Sequence, residues 1–101
     1  MIDRKKMPVY RGVLKYFPNA LKYVSTVSLA GNEQHHPDKE LHWDREKSND
    51  HLDAATRHLI DHGCNPFDDD SVLHLGKSVW RLLAALEEYL DEYEKRKDKG
   101  G

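Results

Sequence analysis

The sequence predicts an all-α fold: a small helical bundle with a long C-terminal helix and a long ordered loop between helices. Three observations carry this. Apolar residues recur at helical spacing in separate stretches of the chain. No stretch alternates apolar and polar residues as a half-buried strand does. Between two periodic stretches lies a polar run with no periodicity. An internal repeat is not visible.

Taken in order, residues 1–8 carry Arg4, Lys5, Lys6 and Pro8 and read as an irregular arm. From Val9 to Phe17 the pattern is mixed, and Pro18 breaks it. Pro18 suits the first turn of a helix, where its missing N–H costs nothing. Ala20, Leu21, Val24, Val27 and Ser28 follow at helical spacing, and Gly31-Asn32 is expected to stop this helix, because both residues tolerate the left-handed conformation. Residues 32–47 then form the loop, with Pro37, His35, His36, His42, Trp43, Asp44, Arg45 and Lys47. A loop this long in so small a domain is uncommon unless functional or disordered. A tryptophan flanked by charges favours an ordered, functional loop.

Ser48 is the expected N-cap of the next helix. Leu52, Ala55, Leu59 and His62 share one stripe, Gly63 ends it, and Asn65-Pro66 marks a turn. Asp68, Asp69, Asp70 and Ser71 are expected to open the last helix, their charge suiting the positive end of its dipole. Val72, Leu75, Val79, Leu82, Leu83, Leu86 and Leu90 form a long apolar stripe that should end near Tyr93 or Lys95. This helix exceeds the usual length for such a domain, so its far end is expected to pack on a second subunit in a homo-oligomer. The chain divides into an arm (1–8), a helical domain (9–94) and a flexible tail (95–101).

Composition narrows the function. The 101 residues make one domain with a limited core, and 34% charged against 38% hydrophobic residues is polar for a compact monomer. A formal net charge of -2 argues against coating duplex nucleic acid, which needs a basic excess. No apolar run approaches the roughly 20 residues of a membrane span. The single cysteine, Cys64, excludes an intrachain disulfide and reads as a small helix-end residue beside Gly63. With no signal-peptide pattern, a reducing cytoplasm is expected.

Two constellations could carry chemistry. Asp50, Asp53, Arg57 and Asp61 are spaced three, four and four apart, so on a helix they share a face. Two carboxylates a turn apart can hold Mg²⁺, and the ion could bridge phosphates for an attacking water. His51 and His58 lean toward the flank of that face. The same spacing also describes a solvated face of weak Asp–Arg pairs. On the last helix, His74, Lys77 and Arg81 form a cationic stripe beside Trp80, able to clamp a polyphosphate or to pair with surface carboxylates. Trp43 could stack on a base. Zinc finds no HExxH and no Cys–His spacing, although His58 and His62, four apart, could ligate together. Walker, dinucleotide-binding and G-x-S-x-G patterns are absent.

Several segments together resemble a bacteriophage family described as dATP/dGTP diphosphohydrolase-like, over about Pro8 to Leu90. They are Gly12-Val-Leu-Lys-Tyr-Phe-Pro18, Val27-Ser-Leu-Ala-Gly-Asn32, Leu41-His-Trp-Asp-Arg45, Lys47-Ser48, Asp50-His51, Asp53-Ala54, Arg57-His58-Leu59, Leu73-His-Leu75 and Val79-Trp80-Arg81. The resemblance implies an all-α fold distantly like the MazG-type pyrophosphohydrolases, which split a nucleoside triphosphate using Mg²⁺ held by carboxylates on facing helices. That type uses two acidic pairs. This chain offers Asp50-x-x-Asp53 and, on the last helix, Lys77 and Arg81 where a second pair is wanted; Glu87 and Glu88 come two turns later, beyond the expected pocket, and Asp68-Asp69-Asp70 could substitute from the loop.

The expectation is therefore a nucleotide ligand in a phage protein acting in the host cytoplasm. The base would lie near Trp43 or Tyr16, and the phosphates near Lys47, Arg57, Lys77 and Arg81, with His35 and His74 in the same binding set. As an enzyme, the chain would hold Mg²⁺ on Asp50 and Asp53 and use His51 or His58 on water. As a non-catalytic sponge for a cyclic or ADP-ribose-type immune signal, it would need no metal.

Overall fold

The computed structural model describes residues 3–100, with side chains described through Lys97. Residues 1 and 2 of the expected arm and residue 101 of the expected tail lie outside the described residues. A 3-10 turn at Arg4–Lys6 and a π-helical turn at Tyr10–Leu14 precede three α-helices: α1 (Pro18–His35), α2 (His51–Cys64) and α3 (His74–Gly100). The fold is all-α. Among the described residues the sole β-type pairing is the isolated bridge between Phe67 and Leu73.

Pro18 does open α1. The helix then runs through Gly31-Asn32 instead of stopping there, and among the described residues no glycine has a positive φ. It ends at His35, and the C-cap His36 precedes Pro37, whose ring keeps it out of the helical region. The Asn32 side chain is buried and works on the loop instead. Ser48 does not cap α2. The N-cap position belongs to Asp50, whose side chain makes no capping bond because it accepts from Ser48 Oγ at 2.8 Å. This helix passes Gly63 by one residue.

The three aspartates precede α3 in a closed turn rather than forming its first residues. Asp68 N–H donates to Val72 O, Ser71 N–H to Asp68 O, and His74 N–H to Pro66 O, each at 2.9 Å. Ser71 takes a left-handed φ of 67° to close it. The last helix continues past Lys95, so the expected flexible tail is helical through Gly100.

Both α1 and α2 pack on α3. The seam between α2 and α3 is made of small residues, with Ala54, Ala55, Ser78 and Ala84 all buried. Small side chains let helix axes approach closely. Ser78 Oγ donates to the Ala55 carbonyl at 2.9 Å, which satisfies a buried hydroxyl across the seam. At the start of α3, Gly76 is buried against the Tyr23 ring of α1. The Tyr23 hydroxyl in turn accepts the Leu73 N–H at 2.8 Å.

The long apolar stripe is not a finished core. Leu75, Leu82, Leu83, Leu86 and Leu90 are each 44–54% exposed. The chain exposes 8331 Å², whereas a compact monomer of its 11.8 kDa mass exposes about 5,900 Å².

Candidate functional site

The far end of α1 and the first turns of α2 and α3 line a half-open cavity of about 660 Å³, bordered on one side by the loop from His36 to Asp50. The loop is ordered by specific bonds. Asn32 Nδ2 donates to Lys39 O at 3.0 Å, and Asn32 Oδ1 accepts from His42 N–H at 3.4 Å. Arg45 donates to Asp91 on α3 at 2.6 Å, and its guanidinium lies 4.3 Å over the Trp43 ring. Trp43 meets Trp80 edge-on, with centroids 5.7 Å apart, and both rings lie about as close to His51. Trp80 Nε1–H donates to Ser28 Oγ at 2.6 Å, so the polar edge of the indole is satisfied.

Of the residues singled out from the sequence, His35, Trp43, Lys47, His51, His58, Lys77 and Arg81 line this one cavity. Arg81 organises its floor. Its Nη1 donates to Ser48 Oγ at 2.7 Å and to His51 Nδ1 at 3.1 Å, and lies 3.7 Å from Asp50 Oδ1. A guanidinium can only donate, so His51 Nδ1 must offer its lone pair. The remaining proton sits on Nε2, 3.4 Å from Glu88 Oε1 and without a formed hydrogen bond.

Lys77 donates to both Asp68 Oδ2 and Asp70 Oδ2 at 2.7 Å. Burial alone would lower the Lys77 ammonium, but these two bonds outweigh it and hold the group above its ordinary value. Its bond and a second from the Asp69 N–H hold the Asp68 carboxyl below its usual range. For Asp70, burial opposes the shift, and Lys77 and the Val72 N–H still bring it down.

His58 and His74 meet Nδ1 to Nδ1 at 3.0 Å. One ring donates and the other accepts, so the two cannot both be charged. Burial first, then Lys77 and His74, lower the pKa of His58. His74 is buried behind it rather than lining the cavity. His62, weighed as a partner of His58, keeps a buried Nδ1 with no hydrogen bond.

Besides His74, four expected site residues lie outside the cavity lining. Tyr16 is exposed beside Phe17, ahead of α1, and does not line the cavity. Arg57 is exposed and donates to Asp50 Oδ2 at 3.4 Å. Ser48 first, then Arg57, hold the Asp50 carboxyl below its usual range. Asp50 and Asp53 line a separate shallow groove with Glu88 and Glu92, which shares His51 with the cavity. Sequence reasoning missed Asn32 and Ser48 as organisers. The one available signal was that Asn32 continues the i+4 row of Val24 and Ser28. No protein-family model matches the chain, and no curated protein or solved structure matches it either.

Proposed function

We propose that the chain binds a phosphorylated nucleotide in this cavity and retains it without turnover. One observation carries the reading. A single cavity of about 660 Å³ joins two indole rings to Lys47, Lys77 and Arg81, with three helices and a loop contributing. Its size falls in the range of small-molecule sites, roughly 300–1,000 Å³. The base stacks on Trp43, and the phosphate oxygens accept from Arg81 and Lys47, with Lys77 exchanging a carboxylate partner for a phosphate.

Retention is favoured by where the carboxylates are. Asp50, one of the two groups expected to hold Mg²⁺, is occupied by Ser48 and Arg57. Asp53 lines the other groove. Asp44 and Asp70 also line the cavity and Lys77 is already paired with Asp70, so Lys47 and Arg81 are the first phosphate contacts, and uniform binding of this kind gives affinity without rate. The biological role that fits is a phage-encoded sponge in the cytoplasm of the infected bacterium, sequestering a cyclic or ADP-ribose-type immune signal. The excess surface and the half-exposed leucines of α3 support a homo-oligomer as the working form.

A second reading has its own observation. Asp50 and Asp53 on one side, Glu88 and Glu92 on the other, line one groove between facing helices. There Asp50 and Asp53 would hold Mg²⁺, and His51, which borders the groove, rather than His58, which lines the cavity, would orient or deprotonate water, splitting a dNTP into dNMP and pyrophosphate.

The test incubates stoichiometric protein with dATP, dGTP and cyclic and ADP-ribose-type nucleotides, with and without Mg²⁺. The filtrate and the ligand released on denaturation are both chromatographed. Intact nucleotide released from the retained protein is the expected result. Monophosphate appearing only with Mg²⁺ would replace retention by hydrolysis, and a panel that is neither held nor cleaved would end both readings.

A further inference from the structure

We propose that His58, Asp68 and His74 form a transition-metal site of the Zn²⁺ class beside the cavity, with a fourth position left for water or a ligand atom. This proposal does not rest on nucleotide binding.

The donors come from three segments: His58 from α2, Asp68 from the closed turn, and His74 from the first residue of α3. One ligand atom of each lies within 4.8 Å of the others. The two Nδ1 atoms are 3.0 Å apart, and Asp68 Oδ2 is 4.0 Å from His74 Nδ1. In a tetrahedral site with bonds near 2.0–2.1 Å, ligand atoms sit about 3.4 Å from one another. The His58–His74 and His74–Asp68 separations thus lie within about 0.6 Å of that value, and the whole set stays within 4.8 Å. His74 is only 6% exposed, and the turn bearing Asp68 is closed onto it through the His74 N–H bond to Pro66 O. The geometry is largely built before any ion arrives.

The donor types select the ion. Two imidazoles and a carboxylate suit Zn²⁺ and its neighbours, and three protein ligands are the pattern of open rather than structural zinc sites. Mg²⁺ and Ca²⁺ prefer all-oxygen shells. The imidazole pair is bonded to itself without an ion, but that bond gives no reason for a carboxylate as third neighbour. On binding, the ring that donated its Nδ1–H becomes the Nε2–H tautomer, and no net proton is released.

Lys77 is the internal competitor. Its ammonium lies 2.7 Å from Asp68 Oδ2, supplying the positive charge that an ion would bring. Asp70 Oδ2, equally close, keeps Lys77 when Asp68 turns to the metal. Removing Lys77 should thus tighten metal binding, an effect a purely structural ion pair does not predict.

The experiment strips the full chain with a chelator and titrates it with Co²⁺, then Zn²⁺, following visible absorption and bound metal. One Co²⁺ per chain, with the intense visible bands of a four-coordinate site and displacement by Zn²⁺, is expected. His58→Gln and Asp68→Asn, both at partly exposed positions, should weaken binding at least about tenfold. Lys77→Met should bind several-fold more tightly than wild type. Shifted imidazole resonances of His58 and His74 in the Co²⁺ form identify the ligands without any substitution, should a variant fail to fold. No stoichiometric binding to folded wild type overturns the proposal. So do bands that survive both ligand substitutions, which would move the ion to the loop histidines His35, His36 and His42.

Discussion

Replacing Gly76 with alanine sets two physical effects against each other. Helix propensity alone favours alanine by about 1 kcal/mol. Against this, the new Cβ would lie 2.7 and 2.8 Å from Tyr23 Cε1 and Cδ1 and 3.2 Å from Val27 Cγ2. Carbon atoms in good contact sit about 3.5–4.0 Å apart, so the ring must retreat by roughly 0.7 Å or more. Tyr23 cannot retreat freely, because its hydroxyl accepts the Leu73 N–H. Overpacking costs about 1–3 kcal/mol, and losing that bond adds about 1 kcal/mol. The net expectation is a loss of about 1–3 kcal/mol, with Tm falling about 4–8 °C for each. Thermal and urea unfolding, followed by circular dichroism at one fixed protein concentration, measure it. In a Tyr23→Ala background the same Gly76→Ala change should stabilise. An alanine variant as stable as wild type would refute the close packing of α1 on the start of α3.

Four further outcomes follow from the same geometry. Arg81→Ala should weaken nucleotide binding at least about tenfold by calorimetry, since a charged hydrogen bond is worth about 1.5–3 kcal/mol; unchanged affinity removes Arg81 from the site. Asp53→Asn should leave retention untouched, and a parallel loss of binding would place Asp53 in the cavity. Asp68 and Asp70 are held below the ordinary 3.8 and Lys77 above the ordinary 10.5, so their stability is present between those values. It is lost as pH falls through the depressed carboxyl values or rises through the elevated ammonium value; Lys77→Met should flatten both limbs of urea midpoint against pH, and an unchanged acid limb contradicts the pairing. Leu82→Glu with Leu86→Glu should sediment as a smaller species and lose the concentration dependence of Tm; a wild-type chain that is monomeric at every concentration ends the oligomer proposal.

Much of the cavity lining was legible because its residues are distinctive. Trp43, Lys47, Lys77 and Arg81 attract attention by charge or ring, and helical spacing alone puts Lys77 and Arg81 on one stripe. What misled was local grammar applied without partners. Gly31-Asn32 has the chemistry of a helix stop, yet Asn32 is engaged by backbone seven and ten residues later. The aspartates before α3 suit a helix dipole, yet Asp68 and Asp70 clasp an ammonium nine and seven residues on. Of the small-residue seam of Ala54, Ala55, Ser78 and Ala84, Ala55 alone lay on an expected stripe, because nothing in such side chains announces burial.

The sequence by itself determined the helical class, since a 3.6-residue period in apolar positions is a property of neighbours along the chain. It also determined the polar, single-cysteine character that no packing can change. Only the tertiary structure decided which groups meet: the two indoles, Arg81 with His51, and His58 with His74 sixteen residues away. Those meetings depend on how closely α2 and α3 approach and on a turn closed by backbone bonds. Neither quantity is written in spacing, because each follows from the summed packing of residues far apart in the chain.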